Sequence, residues 1–181
     1  MNATSPLPRE PLPGPLGAQA RVGTLEDARN LVDLYVAALK EARRPHRADL
    51  VDWVVQAVLH DPLRGLCVLA DKPANGGAPP PADSPRHAIG VAVFEASATA
   101  EHGWAARLSC LYVIPEMRHH GVGKWLLGEA LEFARYYGLN HVVFEARPED
   151  ARVASLLAAA GLRSHPVNHY RIDLPPLYDE S

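Results

Sequence analysis

The chain has 181 residues, of which 48% are hydrophobic and 22% are charged, and its formal net charge is -3. This length suits one domain with a sizeable core, and the composition is typical of a globular protein. The weak negative charge argues against a nucleic-acid-binding protein, so we expect no nucleic-acid partner.

Nothing in the sequence predicts membrane association. No apolar stretch is long enough to cross a bilayer, and the N-terminal residues lack the apolar block of a secretory signal. We therefore expect a cytoplasmic location. Cys67 and Cys110 each lie in an apolar run and are interpreted as buried free thiols, with a disulfide between them as the alternative.

Two proline-rich stretches define the predicted organisation. Residues 1–17, with prolines at five positions, are predicted to form a mobile arm. Residues 71–86 are predicted to be a surface loop between two strands and not a domain boundary. A single folded domain is therefore predicted over residues 18–174, followed by a C-terminal tail over 175–181.

The first predicted elements are a strand, two helices and a second strand. Residues 18–22 are predicted to be extended, and Thr24 followed by Asp27 is typical of a helix N-terminus. Two segments with apolar residues at helical spacing follow, and the second ends before Pro62. Residues 66–69 are predicted to form a buried strand.

Two strands and a long helix are predicted next. Residues 89–94 alternate as a strand would, and residues 105–114 form another apolar, β-rich run. From Val122 the apolar period becomes helical, and Gly138 is placed to end that helix.

The last predicted elements are a strand over 141–146, a helix over 150–160 closed by Gly161, and a strand over 169–174. Strands that alternate with helices in this way predict an α/β domain with a mixed sheet covered by helices.

The turn before the long helix carries the most informative residues. Gly121 and Gly123 fall where the helix begins, and glycine allows a ligand to approach the backbone closely. The first amides of a helix lack internal partners and lie at the positive end of its dipole, which suits a phosphate or a pyrophosphate. Arg118 and Lys124 add positive charge nearby.

Two other phosphate-binding motifs fit this turn less well. A Walker loop requires a glycine where Arg118 stands and a serine or threonine where Trp125 stands. A dinucleotide fingerprint is favoured by Glu145 but requires a third glycine where Leu126 stands, which disfavours an NAD(P)-dependent oxidoreductase. Ordinary turn glycines that bind no ligand are the remaining alternative.

Residues 111–124, with the sequence LYVIPEMRHHGVGK, resemble the signature of the GNAT superfamily of N-acyltransferases. That signature is an apolar strand, a proline turn and then Arg/Gln-x-x-Gly-x-Gly/Ala. Residues 20–28, 144–150 and 159–162 resemble other elements of the family, so the resemblance covers roughly residues 18–174. It implies a single-domain, mostly antiparallel mixed sheet of six to seven strands, about four flanking helices, and a V-shaped splay between strands 4 and 5.

The resemblance also implies that acetyl-CoA is the co-substrate and that no metal is used. The pantetheine arm would run beside the backbone of Leu111 and Val113, and Asp150 would be a further cofactor contact. The pyrophosphate would lie on the turn formed by Arg118, His119, His120, Gly121, Val122, Gly123 and Lys124. The two histidines would act through their backbone, because neighbouring side chains diverge too far to share a metal.

The implied reaction is attack by a primary amine on the thioester, with a backbone amide near Leu111 or Tyr112 stabilising the oxyanion. Many relatives use a tyrosine as general acid at a position where this chain has Leu157. Glu95 is a candidate base and Tyr112 a candidate acid, although a solvated carboxylate and a packed tyrosine are the ordinary alternatives. An acyl-CoA-binding regulatory module or pseudoenzyme therefore stays open beside an enzyme.

The acceptor cannot be identified from the sequence, and both a small-molecule amine and a protein amine are consistent with it. We expect its pocket near the first two helices, and we expect a homodimer because relatives often dimerise. The link between those helices is rich in charges of both signs, which is more often a solvated face: Glu41, Arg43, Arg44, His46, Arg47, Asp49 and Asp52.

Overall fold

The computed structural model describes residues 12–72, 87–99, 103–139 and 141–144, together with Ser155 and Ala158, which are helical. Several predictions fall outside the described residues. These are residues 1–11 of the arm, most of the loop over 71–86, the last two residues of the strand over 141–146, the rest of the helix over 150–160 with Asp150 and Leu157, the strand over 169–174 and the tail over 175–181.

Five strands form one sheet in the order β1-β2-β3-β4-β5. They are β1 (Gln19–Val22), β2 (Gly65–Asp71), β3 (Ala88–Thr99), β4 (Gly103–Val113) and β5 (His141–Val143). Neighbouring strands from β1 to β4 are antiparallel, whereas β5 runs parallel to β4. A mixed, mostly antiparallel sheet is thus confirmed, with five of the predicted six to seven strands in the described part of the chain.

Apart from helical Ser155 and Ala158, the described residues contain three α-helices: α1 (Ala28–Glu41), α2 (Ala48–His60) and α3 (Val122–Tyr136). A short 3-10 turn precedes α1, and there the Thr24 amide donates to the Asp27 carboxylate at 2.9 Å. Gly138 adopts φ 78° just beyond α3, which confirms the predicted helix end. No helix in the described ranges is long and apolar enough to span a bilayer.

Two apolar cores lie on opposite faces of the sheet because side chains alternate along each strand. One core packs under α3 and includes Leu66, Val68, Phe94, Leu126 and Phe133. The other packs under α1 and α2 and includes Leu31, Val55, Leu69, Val91 and Val93. We call the second side of the sheet the α1–α2 face.

The two cysteines are buried free thiols, as predicted. Cys67 and Cys110 both pair with Val93 from opposite sides, so two strand spacings separate their backbones. That separation of about 9.6 Å exceeds the reach of a disulfide. Burial, with a smaller contribution from Asp27, raises the pKa of Cys67 to about 12, so this thiol stays protonated at neutral pH.

A partly buried arginine fixes the start of α1 to the sheet. Arg21 on β1 contacts Asp27 at 2.6 Å and also pairs with Asp71 at the end of β2. Burial alone would raise the pKa of Asp27, but the hydrogen bonds and charge of Arg21 and the amide of Thr24 outweigh it and lower that pKa. The ionised carboxylate therefore helps to hold β1, α1 and β2 together.

Candidate active site

Strand β4 contains a β-bulge close to the candidate site. Val93 on β3 pairs with Cys110, but the next β3 residue, Phe94, pairs with Leu108, so Ser109 is an extra residue on β4. This β-bulge is stabilised by the Ser109 hydroxyl, which donates to the Val93 carbonyl oxygen at 3.2 Å. Bulges bend a strand and redirect the side chains that follow.

The bulge changes which residues of β4 face each core. Before it, Leu108 faces the core under α3, whereas after it Leu111 and Val113 do so, and Cys110 and Tyr112 turn to the α1–α2 face. The side chains of Leu111 and Val113 are therefore packed inward, which leaves only their backbone for a ligand. The sequence gives no clear signal for this bulge, because residues 110–114 are all apolar and show no alternation.

Pairing between β4 and β5 is confined to one end of β4. The parallel pairs join Ala105, Ala106 and Arg107 to the three residues of β5. From Leu108 onwards, through the bulge to Val113, β4 has no β5 partner within the described ranges. The edge of this half of β4 leads directly to the glycine turn.

The turn itself bends sharply before α3 begins. A 3-10 turn, Pro115–Met117, follows β4. His119 then adopts φ 63° and Gly121, the N-cap of α3, adopts φ 82°. A left-handed residue is inexpensive only for glycine, which explains the residue type at 121.

The first turn of α3 presents backbone donors. No side chain caps this helix, and its first internal bond runs from the Trp125 amide to the Gly121 carbonyl at 3.0 Å. The amides of Val122, Gly123 and Lys124 therefore precede the helical hydrogen-bond ladder and lie at the positive end of its dipole. This arrangement can bind a phosphate or diphosphate.

Arg118 holds the turn to two other elements. Its Nε donates to the carbonyl oxygen of Val113 at 2.8 Å, and Nη1 and Nη2 each lie 2.7 Å from a carboxylate oxygen of Glu41 at the end of α1. Its guanidinium carbon also lies 5.2 Å from the ring centroid of Tyr112. The Arg118 side chain thus connects the turn to β4 and to α1. Its positive charge is balanced by Glu41.

This ion pair stays charged at neutral pH. The hydrogen bond from Arg118 lowers the pKa of Glu41, against a smaller opposing effect of burial. The same bond raises the pKa of Arg118. The Arg118 charge is balanced by Glu41. Lys124 is exposed and makes no ion pair with the described residues, so its charge is available to a ligand of the turn.

The two histidines of the turn are exposed and do not converge on a metal site. His120 Nδ1 lies 2.6 Å from the carbonyl oxygen of Arg118, a contact that requires the proton on Nδ1. The preceding residue, His119, is exposed and has a left-handed backbone conformation. Among the described residues, no group of three or more possible metal ligands occurs.

The two candidate catalytic residues lie on the α1–α2 face but far apart. Glu95 is opposite Arg107, and their charged groups are 3.3 Å apart. Tyr112 is opposite Val91, four positions from Glu95 along β3, which is roughly 13 Å. The structure therefore does not bring them together as an acid–base pair.

Tyr35 is a polar residue near the bulge that the sequence analysis did not single out as a candidate site residue. It is 8% exposed on α1, and its hydroxyl lies near Ser109. Burial, the largest cause, raises the pKa of Tyr35 to about 12. The hydroxyl is therefore neutral at physiological pH, and it lies on the α1–α2 face close to the bulge.

A small pocket with mainly apolar lining, formed by described residues, lies away from this site. It is lined by residues that include Leu63, Gly65, Ala96 and Trp104, at the end of the sheet opposite the glycine turn. Because its position does not coincide with the helix N-terminus, the pocket does not change the assignment of the site.

Comparison with known families gives the same assignment. Residues 71–161 match the model of the acetyltransferase (GNAT) family, and this segment contains the bulge, the turn and α3. The chain belongs to the GNAT acetyltransferase family. Among curated proteins, none matches the sequence.

Solved structures share the GNAT fold at low sequence identity. A putative acetyltransferase from Arthrobacter sp. FB24 is 22% identical with a TM-score of 0.65, over 86% of this chain and 95% of that one. AAC(6')-Iy in complex with the bisubstrate analogue CoA-S-monomethyl-acetylneamine is 17% identical, with a TM-score of 0.66 over 87% and 99% of the two chains. A transcriptional regulator from Bacillus halodurans C-125 is 15% identical, with a TM-score of 0.62 over 86% and 99%.

Proposed function

We propose that this GNAT protein transfers an acetyl group from acetyl-CoA to a primary amine. The observation that carries the proposal is the start of α3, where the left-handed Gly121 precedes three amides outside the helical ladder. These donors follow the half of β4 that has no described β5 partner. The extended pantetheine arm of CoA could bind along this half of β4, and its diphosphate could bind at the turn that follows.

The residues present fit CoA at this position. The backbone from Arg118 to Lys124 would hold the pyrophosphate, and the Lys124 side chain would add charge. Leu111 and Val113 would offer backbone groups to the pantetheine arm, because their side chains pack into the core under α3. Asp150 remains a predicted contact. When bound, acetyl-CoA supplies the thioester carbonyl that the amine attacks, with the thiolate as leaving group.

Residues of this chain must provide the proton transfers and stabilise the oxyanion. An alkyl amine with a pKa near 10.4 is mostly protonated at neutral pH, and removing its proton costs about 4.6 kcal/mol. We propose that Glu95 accepts this proton and that Tyr112 donates one to the leaving thiolate. Because Glu95 on β3 and Tyr112 on β4 lie far apart along the strand direction, water would have to relay at least one of the protons. A backbone amide near Leu111 or Tyr112 would stabilise the oxyanion.

A second candidate function is acyl-CoA binding without turnover. Leu157 stands where many relatives have the acid tyrosine, and a transcriptional regulator shares the fold at a TM-score of 0.62. The cofactor turn would serve such a sensor equally well, because phosphate binding does not require the acid.

The acceptor and the assembly belong to the proposal as well. We propose a primary amine, on a small molecule or a protein, that approaches from the α1–α2 face, where Glu95, Tyr112 and Tyr35 lie. A homodimer is proposed by analogy with relatives that dimerise.

Two measurements separate these functions. Calorimetry with CoA and acetyl-CoA tests the cofactor turn, and thiol release from acetyl-CoA with a panel of small and peptide amines tests transfer. We expect saturable binding together with thiol release that depends on an amine. Binding without thiol release favours the regulatory function, whereas no binding to well-folded protein contradicts both.

A further inference from the structure

Part of the N-terminal arm lies against the cofactor helix. The carbonyl oxygen of Leu12 accepts a hydrogen bond from Trp125 Nε1 at 3.1 Å. A Cβ added to Gly14 would lie 2.5 Å from Trp125 Cε2, so the Gly14 backbone packs directly on the indole. Residue 14 must therefore be glycine for this contact to form.

The same segment is anchored to the start of the sheet. The Gly14 amide donates to the Ala18 carbonyl oxygen at 2.7 Å, and the Gly17 amide donates to the Gly14 carbonyl oxygen at 3.1 Å. Leu16 and Gly17 adopt φ 58° and φ 74°, which closes a tight turn just before β1. The segment therefore has a defined path between β1 and α3.

This segment also reaches the glycine of the turn. Pro15 Cγ lies 3.6 Å from the position of a Cβ on Gly121. The segment thus contacts Trp125 and lies beside Gly121, the N-cap whose carbonyl oxygen accepts the first helical hydrogen bond, from the Trp125 amide. One short segment therefore lies along the first turn of α3.

We propose that residues 12–17 form a clasp that positions the cofactor turn before CoA binds. This inference rests on the proposed function, because it assumes that the turn binds the pyrophosphate. Gly121, as a glycine, has more backbone freedom to lose on binding than the non-glycine residues of the turn. A contact that restricts this freedom beforehand lowers the entropy cost of binding and so raises affinity.

The test measures CoA binding by variants of the full chain in which one glycine is replaced by alanine, so that each variant adds a single methyl group. Gly14→Ala places a methyl into the Trp125 ring and should displace the clasp, whereas Gly128→Ala adds a methyl to the same helix where nothing lies within 4 Å. We expect Gly14→Ala to raise the CoA Kd about tenfold, which corresponds to about 1.4 kcal/mol. Gly128→Ala should leave the Kd within about twofold of the original protein.

A second variant keeps the proposal testable if Gly14→Ala perturbs folding. Trp125→Phe removes the donor to Leu12 and part of the ring that a methyl at 14 would meet. It should weaken CoA binding by itself, and Gly14→Ala should then add less than about twofold, because both changes act through one contact.

The outcomes distinguish the two proposals. If the unsubstituted protein binds CoA but Gly14→Ala and Trp125→Phe bind it equally well, the clasp is overturned and the proposed function stands. Fully additive losses from the two changes would also overturn the clasp. If the unsubstituted protein binds no CoA, the proposed function fails and the clasp fails with it.

Discussion

Arg118 in the cofactor turn and Glu41 at the end of α1 form a two-point ion pair, with both nitrogen–oxygen distances at 2.7 Å. The pair connects the turn to the helix that borders the α1–α2 face. Its Glu41 side chain is 52% exposed, so solvent screens the attraction and we expect it to stabilise the fold by less than about 1 kcal/mol. Its role is to orient the turn.

Substitution of Arg118 can separate positioning from charge. Arg118→Gln keeps a donor at the reach of the Val113 carbonyl but loses the Glu41 pair, whereas Arg118→Leu loses both. We expect the glutamine variant to bind CoA within about threefold of the original and the leucine variant about tenfold more weakly, because a lost hydrogen bond is worth about 0.5–1.5 kcal/mol. Calorimetry measures both. Equal losses in the two variants would show that the Arg118 charge, and not its bond to Val113, matters.

Glu95 can be tested by its effect on turnover. Glu95→Gln retains the shape of the side chain but cannot accept a proton, so we expect kcat to fall about 100-fold with little change in the KM for acetyl-CoA. Steady-state thiol release measures both constants, and Arg107→Gln, which removes only the partner at 3.3 Å, serves as the control. An unchanged kcat in Glu95→Gln would assign Glu95 to the ordinary solvated carboxylates.

Tyr35 predicts a specific loss of stability in alkaline solution. Its pKa is raised to about 12 in the folded protein, whereas a tyrosine in an unfolded chain ionises near pH 10. Because the folded pKa is the higher one, its stabilisation is complete below about pH 10 and is lost as the pH rises towards about 12. Urea unfolding over this range should show a shallower decline in Tyr35→Phe, which keeps the ring but cannot ionise. Parallel declines would contradict the assignment.

Gly128 offers a stabilising substitution. It lies exposed in the interior of α3, and a Cβ there would meet nothing within 4 Å. Gly128→Ala removes backbone freedom from the unfolded chain, so we expect a gain of about 0.5–1 kcal/mol and a rise in Tm of up to about 4 °C. Thermal unfolding measures the shift. A lower Tm would mean that α3 requires flexibility at this position.

Much of the fold followed from local patterns. The buried face of α3 was predicted because Leu126, Ala130 and Phe133 recur at helical spacing, and Gly138 was predicted to end it. The turn glycines were predicted because the start of a helix needs residues that leave its amides accessible. These are properties of neighbouring residues, so the sequence alone expresses them.

Other features depend on residues far apart in the chain. The Ser109 bulge arises from the register between β3 and β4, which the apolar run over 110–114 does not specify. The contacts of Glu41 with Arg118 and of Gly14 with Trp125 join distant segments. The mixed charges around Glu41 predicted a solvated side chain, and the prolines around Gly14 predicted a mobile segment. In the structure Glu41 pairs with Arg118, and Gly14 packs against Trp125.

The most direct test of the central claim compares Gly121 and Gly123, two glycines of the turn that lie two residues apart. Gly121 has φ 82°, so Gly121→Ala imposes strain of about 1–2 kcal/mol and tilts the amides of the turn. A methyl on Gly123 would make an ordinary contact, 3.7 Å from Val113 Cγ2, so Gly123→Ala should leave those amides in place.

Calorimetric titration of CoA into both variants, below their unfolding temperatures, decides the matter. We predict that Gly121→Ala binds at least about tenfold more weakly than the original protein, while Gly123→Ala stays within about threefold. Equal affinities in all three proteins, or no binding by the well-folded original, would contradict the claim that the amides at the start of α3 hold the cofactor.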